Sequence, residues 1–333
     1  MNTRRRYGHL CRLLACSALL VGCGSQTGRT GGAGHPSSPV VTDAQAVAAV
    51  RAYEQGNNKV NAALDPPGLA AVETTPLRTS SQALMTVSRT LHQKIPHITH
   101  TKTEVFVPSG TGRTTWFLSV SQRVVGGVPS TQPTYNVFVR TGPSGSFRAA
   151  YALTPIQQEQ VGPFALDAAG AAMSVTSADD LLLAPDKVGR AVTEHYVRGL
   201  SGKDAFLPST ALDDVLGNGY VLGRKVLGER GVTLTRNVRS DLPETYALRT
   251  TDGGVVAFTA ITVTDHLTAK NAKSKATLRA GSNDAALFGR PGGAQAEKFT
   301  IDRLEMFMTY IPLARSGGKA KVLAYSEAPI SVV

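Results

Sequence analysis

The stretch RTTWFLSVSQRV, Arg113 to Val124, decides how the rest of the chain is read. It is rich in β-branched and aromatic residues, which suit a pleated, half-buried strand. A second stretch of the same character, GVVAFTAITVTDHL, runs from Gly254 to Leu267. Setting Trp116 against Phe258 separates the two by 142 residues. Each is preceded by a strand and a glycine-bearing turn, VFVPSGTG in the first case and YALRTTDGG in the second. Each is followed by a hairpin, TYNVFVRTGPSGSFRAAYALTPI or LEMFMTYIPLARSGGKAKVLAYSEAPI. Both hairpins turn on serine and glycine and end in Pro-Ile.

Working outward, each strand group has helices in front of it. After Thr42-Asp43, a good N-cap pair, AQAVAAVRAYEQ places Val47, Val50 and Tyr53 near one helical face. APDKVGRAVTEHYVRG starts at Ala184, with Pro185 suited to the first turn and Val188, Val192 and Tyr196 recurring at four-residue steps. Asp43 to Asp186 and Tyr53 to Tyr196 are both 143 residues apart. The separation widens to 174 between Pro155 and Pro329, which places 32 extra residues in the second half. They match LTAKNAKSKATLRAGSNDAALFGRPGGAQAEKF, Leu267 to Phe299. That segment is polar and basic and is expected to be a mobile surface loop.

The expected fold is therefore α+β, with two similar units, each of helices followed by a curved antiparallel sheet. The first unit covers 42–158, a connector 159–183, and the second unit 184–333 with the basic loop insertion near 267–299. This order resembles the cone-shaped fold of the nuclear-transport-factor-two-like superfamily, and the cystatin-like arrangement is close to it. The resemblance covers about residues 43 to 330. It implies a concave sheet face that can become a pocket, and no particular chemistry, because that fold hosts enzymes and non-enzymes alike. Trp116, Phe117, Phe138, Phe258, Met306, Phe307 and Met308 are the candidate sheet residues, expected in the core rather than lining a pocket.

The front end reads as a processing signal, 1–22. Arg4, Arg5, Arg6 and Arg12 precede the uncharged run LLACSALLV, Leu13 to Val21. A spanning helix needs about 20 apolar residues, so this run suits the core of an export signal instead. Leu20, Val21, Gly22 and Cys23 then resemble the lipobox of bacterial lipoproteins, in which the cysteine thiol is diacylated and the chain is cut before it. With its Ala, Arg, Gly and Val bias the chain resembles secreted lipoproteins of high-GC actinobacteria. The resemblance implies a body held to the extracytoplasmic face of the cell membrane by two acyl chains on Cys23, enough for stable anchoring. Thr3-Arg4-Arg5-Arg6-Tyr7 also looks a little like a twin-arginine signal, which would carry the protein across folded. Cys11 and Cys16 leave with the signal, so the mature chain keeps no pair for a disulfide. The next segment, Gly24 to Val41, is Gly, Ser, Thr and Pro with little to bury, a flexible tether reaching roughly 25 Å.

Chemistry-bearing motifs are few. LHQKIPHITH offers His92, His97 and His100, which could share one zinc ion if the chain bent at Pro96. No acidic residue lies among them, and a helix end with exposed imidazoles explains the run as well. Glu194-His195 are adjacent on a predicted helix and do not face each other. Asp265-His266 end a strand, where neighbours point to opposite faces. Asp179-Asp180 and Asp213-Asp214 look like helix starts. There is no G-x-S-x-G elbow, H-E-x-x-H or phosphate loop. GLSGKDAF lacks the upstream glycine of a phosphate loop, and the glycine-rich run Gly217 to Gly231 does not follow a strand as a dinucleotide loop should. No cofactor is expected.

The formal charge is +11, and loss of the four signal arginines leaves about +7. Arg224, Lys225, Arg230, Arg236 and Arg239 cluster, as do Lys270, Lys273, Lys275 and Arg279. Outside a cell such patches attract anionic lipid heads or wall polyanions, or serve as a solvated surface. Nucleic acid is not expected, since no aromatic stacking motif interleaves the basic residues. The sequence thus points to a lipid-anchored binding or assembly protein of the envelope. An envelope enzyme built in one cone, or a structural spacer, stands beside that reading. An apolar-lined cavity with a few polar groups would favour binding; a cavity carboxylate or histidine with a shifted pKa would favour an enzyme.

Overall fold

Helix α1, Asp43–Ala63, begins where Thr42 closes a capping box. The Thr42 hydroxyl accepts from the Gln45 N–H at 3.2 Å, and the Gln45 side chain accepts from the Thr42 N–H at 2.9 Å. Two otherwise unpaired donors of the first turn are thereby satisfied. The chain is described from a computed structural model over residues 41–109, 114–142, 144–156, 161–176, 179–198, 219–240 and 244–333. Along α1 the buried stripe starts apolar, at Ala46 and Val50, and continues as Asn57 and Asn61. Helix α2, Leu77–Thr90, buries Leu77, Ala83, Met85 and Val87.

Four antiparallel strands follow, in the order of the chain: β1 Ile98–Phe106, β2 Thr114–Val125, β3 Val128–Thr141 and β4 Arg148–Leu153. Phe117 pairs with Phe138 across β2 and β3, and their rings stack at 4.9 Å. Such a cross-strand aromatic pair pins the register on the buried face. The second half contributes α3 Val188–Arg198 and α4 Gly219–Glu229, then β5 Val232–Arg239, β6 Tyr246–Arg249 and β7 Val255–Ala269. After β8 Ala276–Leu278, α5 Asn283–Leu287 and β9 Ala294–Ala296 come the long strands β10 Lys298–Ile311 and β11 Lys321–Val332. The larger sheet is ordered β11-β10-β7-β5, with β6 on the other part of β7's edge. Register shifts at Thr101/Glu104, Gln122/Val124 and Met308/Thr309 interrupt the ladders. Bulges of this kind bend a strand and increase its twist.

The fold is thus α+β with antiparallel sheets, as the sequence leads one to expect. Its largest core draws on both sheets: Phe117, Phe138 and Tyr151 from one, Phe258, Met308 and Leu323 from the other. The Tyr151 and Phe258 rings lie 6.0 Å apart, and those of Trp116 and Tyr246 lie 5.2 Å apart. The described residues pack as one compact unit. The candidate sheet residues Phe117, Phe138, Phe258, Met306, Phe307 and Met308 are all buried, and Trp116 is half-buried.

Several expectations need correction. Residues 267–299 are not a loop with little to bury. They fold as the β8–β9 hairpin and α5, and Ala276, Leu278, Ala285 and Phe299 fill a core of their own with Leu234 and Ile301. These residues are scattered among polar and basic ones, so the segment's composition hides them. The stretch 159–183 is more than a connector: its described residues bridge to strands, Phe164 to Thr250 and Ser174 to Leu248. Asp179-Asp180 form a turn rather than a helix start, with Asp180 paired to Arg249 at 3.1 Å. Asp213-Asp214, GLSGKDAF, the signal with Leu20, Val21, Gly22 and Cys23, and the tether through Val40 lie outside the described residues.

Candidate functional site

A cavity of about 300 Å³ opens between α1, α2 and the first sheet. The buried face of α1 turns from apolar to polar where it passes over this space. Tyr53 rests its ring edge-on to Phe138, at 5.4 Å. One turn later Asn57 donates to Glu73 Oε1 at 2.8 Å, and the Tyr53 hydroxyl reaches the same oxygen at 3.3 Å. Asn61 in turn donates to the Asn57 carbonyl. Glu73 stands just before α2, where Thr74 N–H bonds to the Ala149 carbonyl and ties this segment to β4.

The Glu73 side chain is 1% exposed. Burial raises its carboxyl to about 7, against the polar groups of Ser81, Tyr53 and Asn57, which pull it down. Its second oxygen, Oε2, has Ser81 beside it but no partner in good hydrogen-bond geometry. Burial, and the neighbouring Glu73 charge, push the Tyr53 hydroxyl well above its usual value. The phenol therefore stays a hydrogen-bond donor.

The sheet supplies the opposite wall. On β1, the His100 N–H donates to Glu54 Oε2 at 2.7 Å, and His100 Nδ1 lies 3.5 Å from the same oxygen, out of line for a hydrogen bond. Burial lowers the His100 pKa, with Glu54 opposing. Opposite His100 in the register stands Arg123 of β2. Its guanidinium lines the cavity and makes no ion pair or side-chain hydrogen bond with a described residue. Asn136 of β3, 1% exposed, also faces the cavity, and its Nδ2 has no partner. Thr134 and Thr154 share a hydrogen bond at 3.2 Å beside it. Leu77, Leu84, Ile95, Pro96, Met306 and Ser326 complete the wall, so the second sheet reaches the site as well.

The histidine run is thus only partly brought here. His100 is on a strand and its side chain is 5% exposed, not a loop imidazole. His92 and His97 are exposed and are not gathered with it. Among the described residues no three His, Cys, Asp or Glu side chains come together as a metal site. Asp265 and His266 part as the strand period requires. Asp265 takes a bidentate contact from Arg236, at 2.7 and 2.8 Å, while His266 meets Thr300 at 3.1 Å. The His195 side chain lies outside the described residues. Of the glycine-rich run Gly217 to Gly231, the described residues form α4 and the turn into β5.

Sequence reading missed Asn57, Asn61, Glu73, Arg123 and Asn136. A signal existed for the first two, because they extend the Val50 stripe at helical spacing and asparagine is seldom buried. Glu73, Arg123 and Asn136 carry no such mark. They meet only once sheet and helices pack.

The comparisons bear on the body that holds this cavity. A family described as a domain of unknown function, DUF8094, matches residues 37–331. The chain belongs to the DUF8094 family. No curated protein and no solved structure shows significant similarity to it. The DUF8094 match covers both sheets and both cavity walls. It begins past Cys23 and so leaves the signal untouched. Among the described residues no helix is long and apolar enough to cross a membrane.

Proposed function

We propose that this DUF8094 protein is a lipid-anchored, extracytoplasmic binding protein of the cell envelope, and that its cavity takes a small polar ligand. One observation carries the ligand reading. Glu73 Oε2, Asn136 Nδ2 and His100 Nδ1 are buried, lack hydrogen-bond partners and belong to three residues lining one cavity. Unpaired buried polar atoms are costly, on the order of 1–3 kcal/mol each. Here they come from three separate segments, and a ligand that answers them recovers that cost. The cavity lies at the small end of ligand sites.

Anchoring rests on Leu20, Val21, Gly22 and Cys23, with the basic, apolar signal ahead and the tether behind. We also read the body as a duplication. The meander β1-β2-β3-β4 has a counterpart in β6-β7-β10-β11, whose neighbours pair in the same succession. Exposed Arg224, Lys225, Arg230, Lys270 and Lys273 suit an anionic envelope polymer or lipid surface.

A second reading follows from Glu73. A cavity carboxyl raised to about 7 is suited to accept or give a proton at neutral pH, which favours an envelope enzyme. Native mass spectrometry of the protein taken from its own envelope tests both. A co-purified ligand recovered unchanged supports binding, and its conversion on incubation supports the enzyme. An empty cavity in every preparation counts against both. Anchoring is tested by fractionation: a Cys23→Ser protein should leave the membrane fraction, and its retention with an unchanged mass would overturn the anchor.

A further inference from the structure

The unpaired groups in the cavity differ in sign, and that narrows the ligand. Arg123 projects a guanidinium from β2 with no described anionic partner. It lies near enough to Tyr53 and His100 to lower both their pKa values through its charge. On the helix side Glu73 Oε2 is buried beside Ser81 with no partner in good hydrogen-bond geometry, and its other oxygen is held by Tyr53 and Asn57. Asn136 adds a free N–H donor from the sheet. Glu54 cannot serve as the partner of Arg123: no contact joins them, and its Oε2 is engaged by His100.

A simple anion would satisfy Arg123 and Asn136 but leave Glu73 Oε2 facing it. A simple cation would satisfy Glu73 but face Arg123. A neutral polyol would leave both charges without a counter-charge in a partly desolvated site. A molecule with both signs answers all three. At about 30 Å³ for each water displaced, the cavity holds roughly ten water-sized atoms, which is the size of a free amino acid. Such a ligand also fits the bidentate geometry by which guanidinium groups hold carboxylates.

We propose that the cavity binds a small zwitterion of amino-acid size, its ammonium on Glu73 and its carboxylate on Arg123, with Asn136 donating to the bound molecule. This rests on the polar-ligand reading above. It also has a consequence that reading lacks. An ammonium beside Glu73 favours the ionised carboxyl, so binding near neutral pH expels a proton.

The test is isothermal titration calorimetry on the detergent-solubilised full chain at pH 7, in buffers of different ionisation enthalpy. The probes are α-amino acids and γ-aminobutyrate, with matched primary amines, carboxylates and monosaccharides. The expected result is saturable binding of one or more zwitterions, a buffer-dependent heat showing proton release, and at least about tenfold weaker binding by the singly charged analogues. Glu73→Gln should abolish the proton release, and Arg123→Gln should weaken binding by about tenfold or more. Arg123 is on the sheet face beside the cavity, so its variant keeps the test usable if Glu73→Gln fails to fold. Binding of only amines, only carboxylates or only sugars, lost on Asn136→Leu, would overturn the zwitterion and leave the polar-ligand reading standing. No binding by any probe to protein with a cooperative thermal transition would overturn both.

Discussion

Asn57 and Glu73 meet at 2.8 Å inside the first half of the molecule, an amide from α1 donating to a carboxyl from the segment before α2. Both side chains are buried, and the contact links α1 to the segment before α2, 16 residues further along the chain. It helps set the chemistry of the cavity, because it fixes one Glu73 oxygen and leaves the other, Oε2, buried without a partner in good hydrogen-bond geometry.

Glu73 makes stability depend on pH. Burial holds its carboxyl at about 7, above the usual 4.5, so the folded protein binds this proton more tightly than the unfolded chain does. The stabilising contribution is complete below about pH 4.5 and is lost as pH rises through about 7. Relative to Glu73→Gln, the wild type should lose about 2–3 kcal/mol between pH 5 and pH 8. Urea unfolding of both proteins at the two pH values measures this. A difference that grows in the opposite direction would contradict the assignment.

Asp265 is the hub of a buried charge network. It takes Arg236 at 2.7 Å and Arg303 at 3.6 Å, and Arg303 goes on to Asp284 at 2.9 Å and Glu327 at 3.1 Å. Asp284 is in α5, so the network ties the inserted segment to the large sheet. Asp265→Ala leaves two guanidinium groups without their shared anion, and it should cost about 3–5 kcal/mol. Chemical denaturation reads it, and a loss below about 1 kcal/mol would mean the network is solvated rather than structural.

Phe299 tests whether residues 267–299 belong to the body. Its ring is fully buried and meets Phe288 edge-on at 5.2 Å. Phe299→Ala should destabilise by about 3–5 kcal/mol and open the segment to proteolysis. A surface loop would show neither effect.

Thr42 sets the start of α1. Thr42→Ala removes the hydroxyl that caps Gln45 and should cost about 1 kcal/mol of stability, read by urea unfolding, with no change in ligand affinity, since it is about three turns from Tyr53.

The glycine before β7 is fixed by close contact. A Cβ on Gly254 would lie 2.5 Å from the Tyr310 ring, whose hydroxyl donates to Asp252 at 2.8 Å. Gly254→Ala should therefore cost about 1–3 kcal/mol and shift the Tyr310 titration downward. Tyr310 now sits at about 12, raised by burial and by Asp252. Ultraviolet titration follows it.

The order of elements was legible in the residues themselves. The β-branched and aromatic runs around Trp116 and Phe258 became β2 and β7, Thr42 became the cap that starts α1, and the serine-glycine stretches became the β3–β4 and β10–β11 turns. Each of these depends on neighbours a few positions away, and local backbone preference and side-chain period act over that range. Residues 267–299 were harder, because their core residues, Leu278 and Phe299 among them, are scattered through polar and basic ones. What only the tertiary structure decided is which polar groups share a space. Tyr53, Glu73, His100, Arg123 and Asn136 come from a helix, the segment between the two helices, and three strands. Their burial, and the field each feels from the others, exist only after two helices close over the sheet. Desolvation depends on what surrounds a group in three dimensions, and no spacing along the chain encodes it.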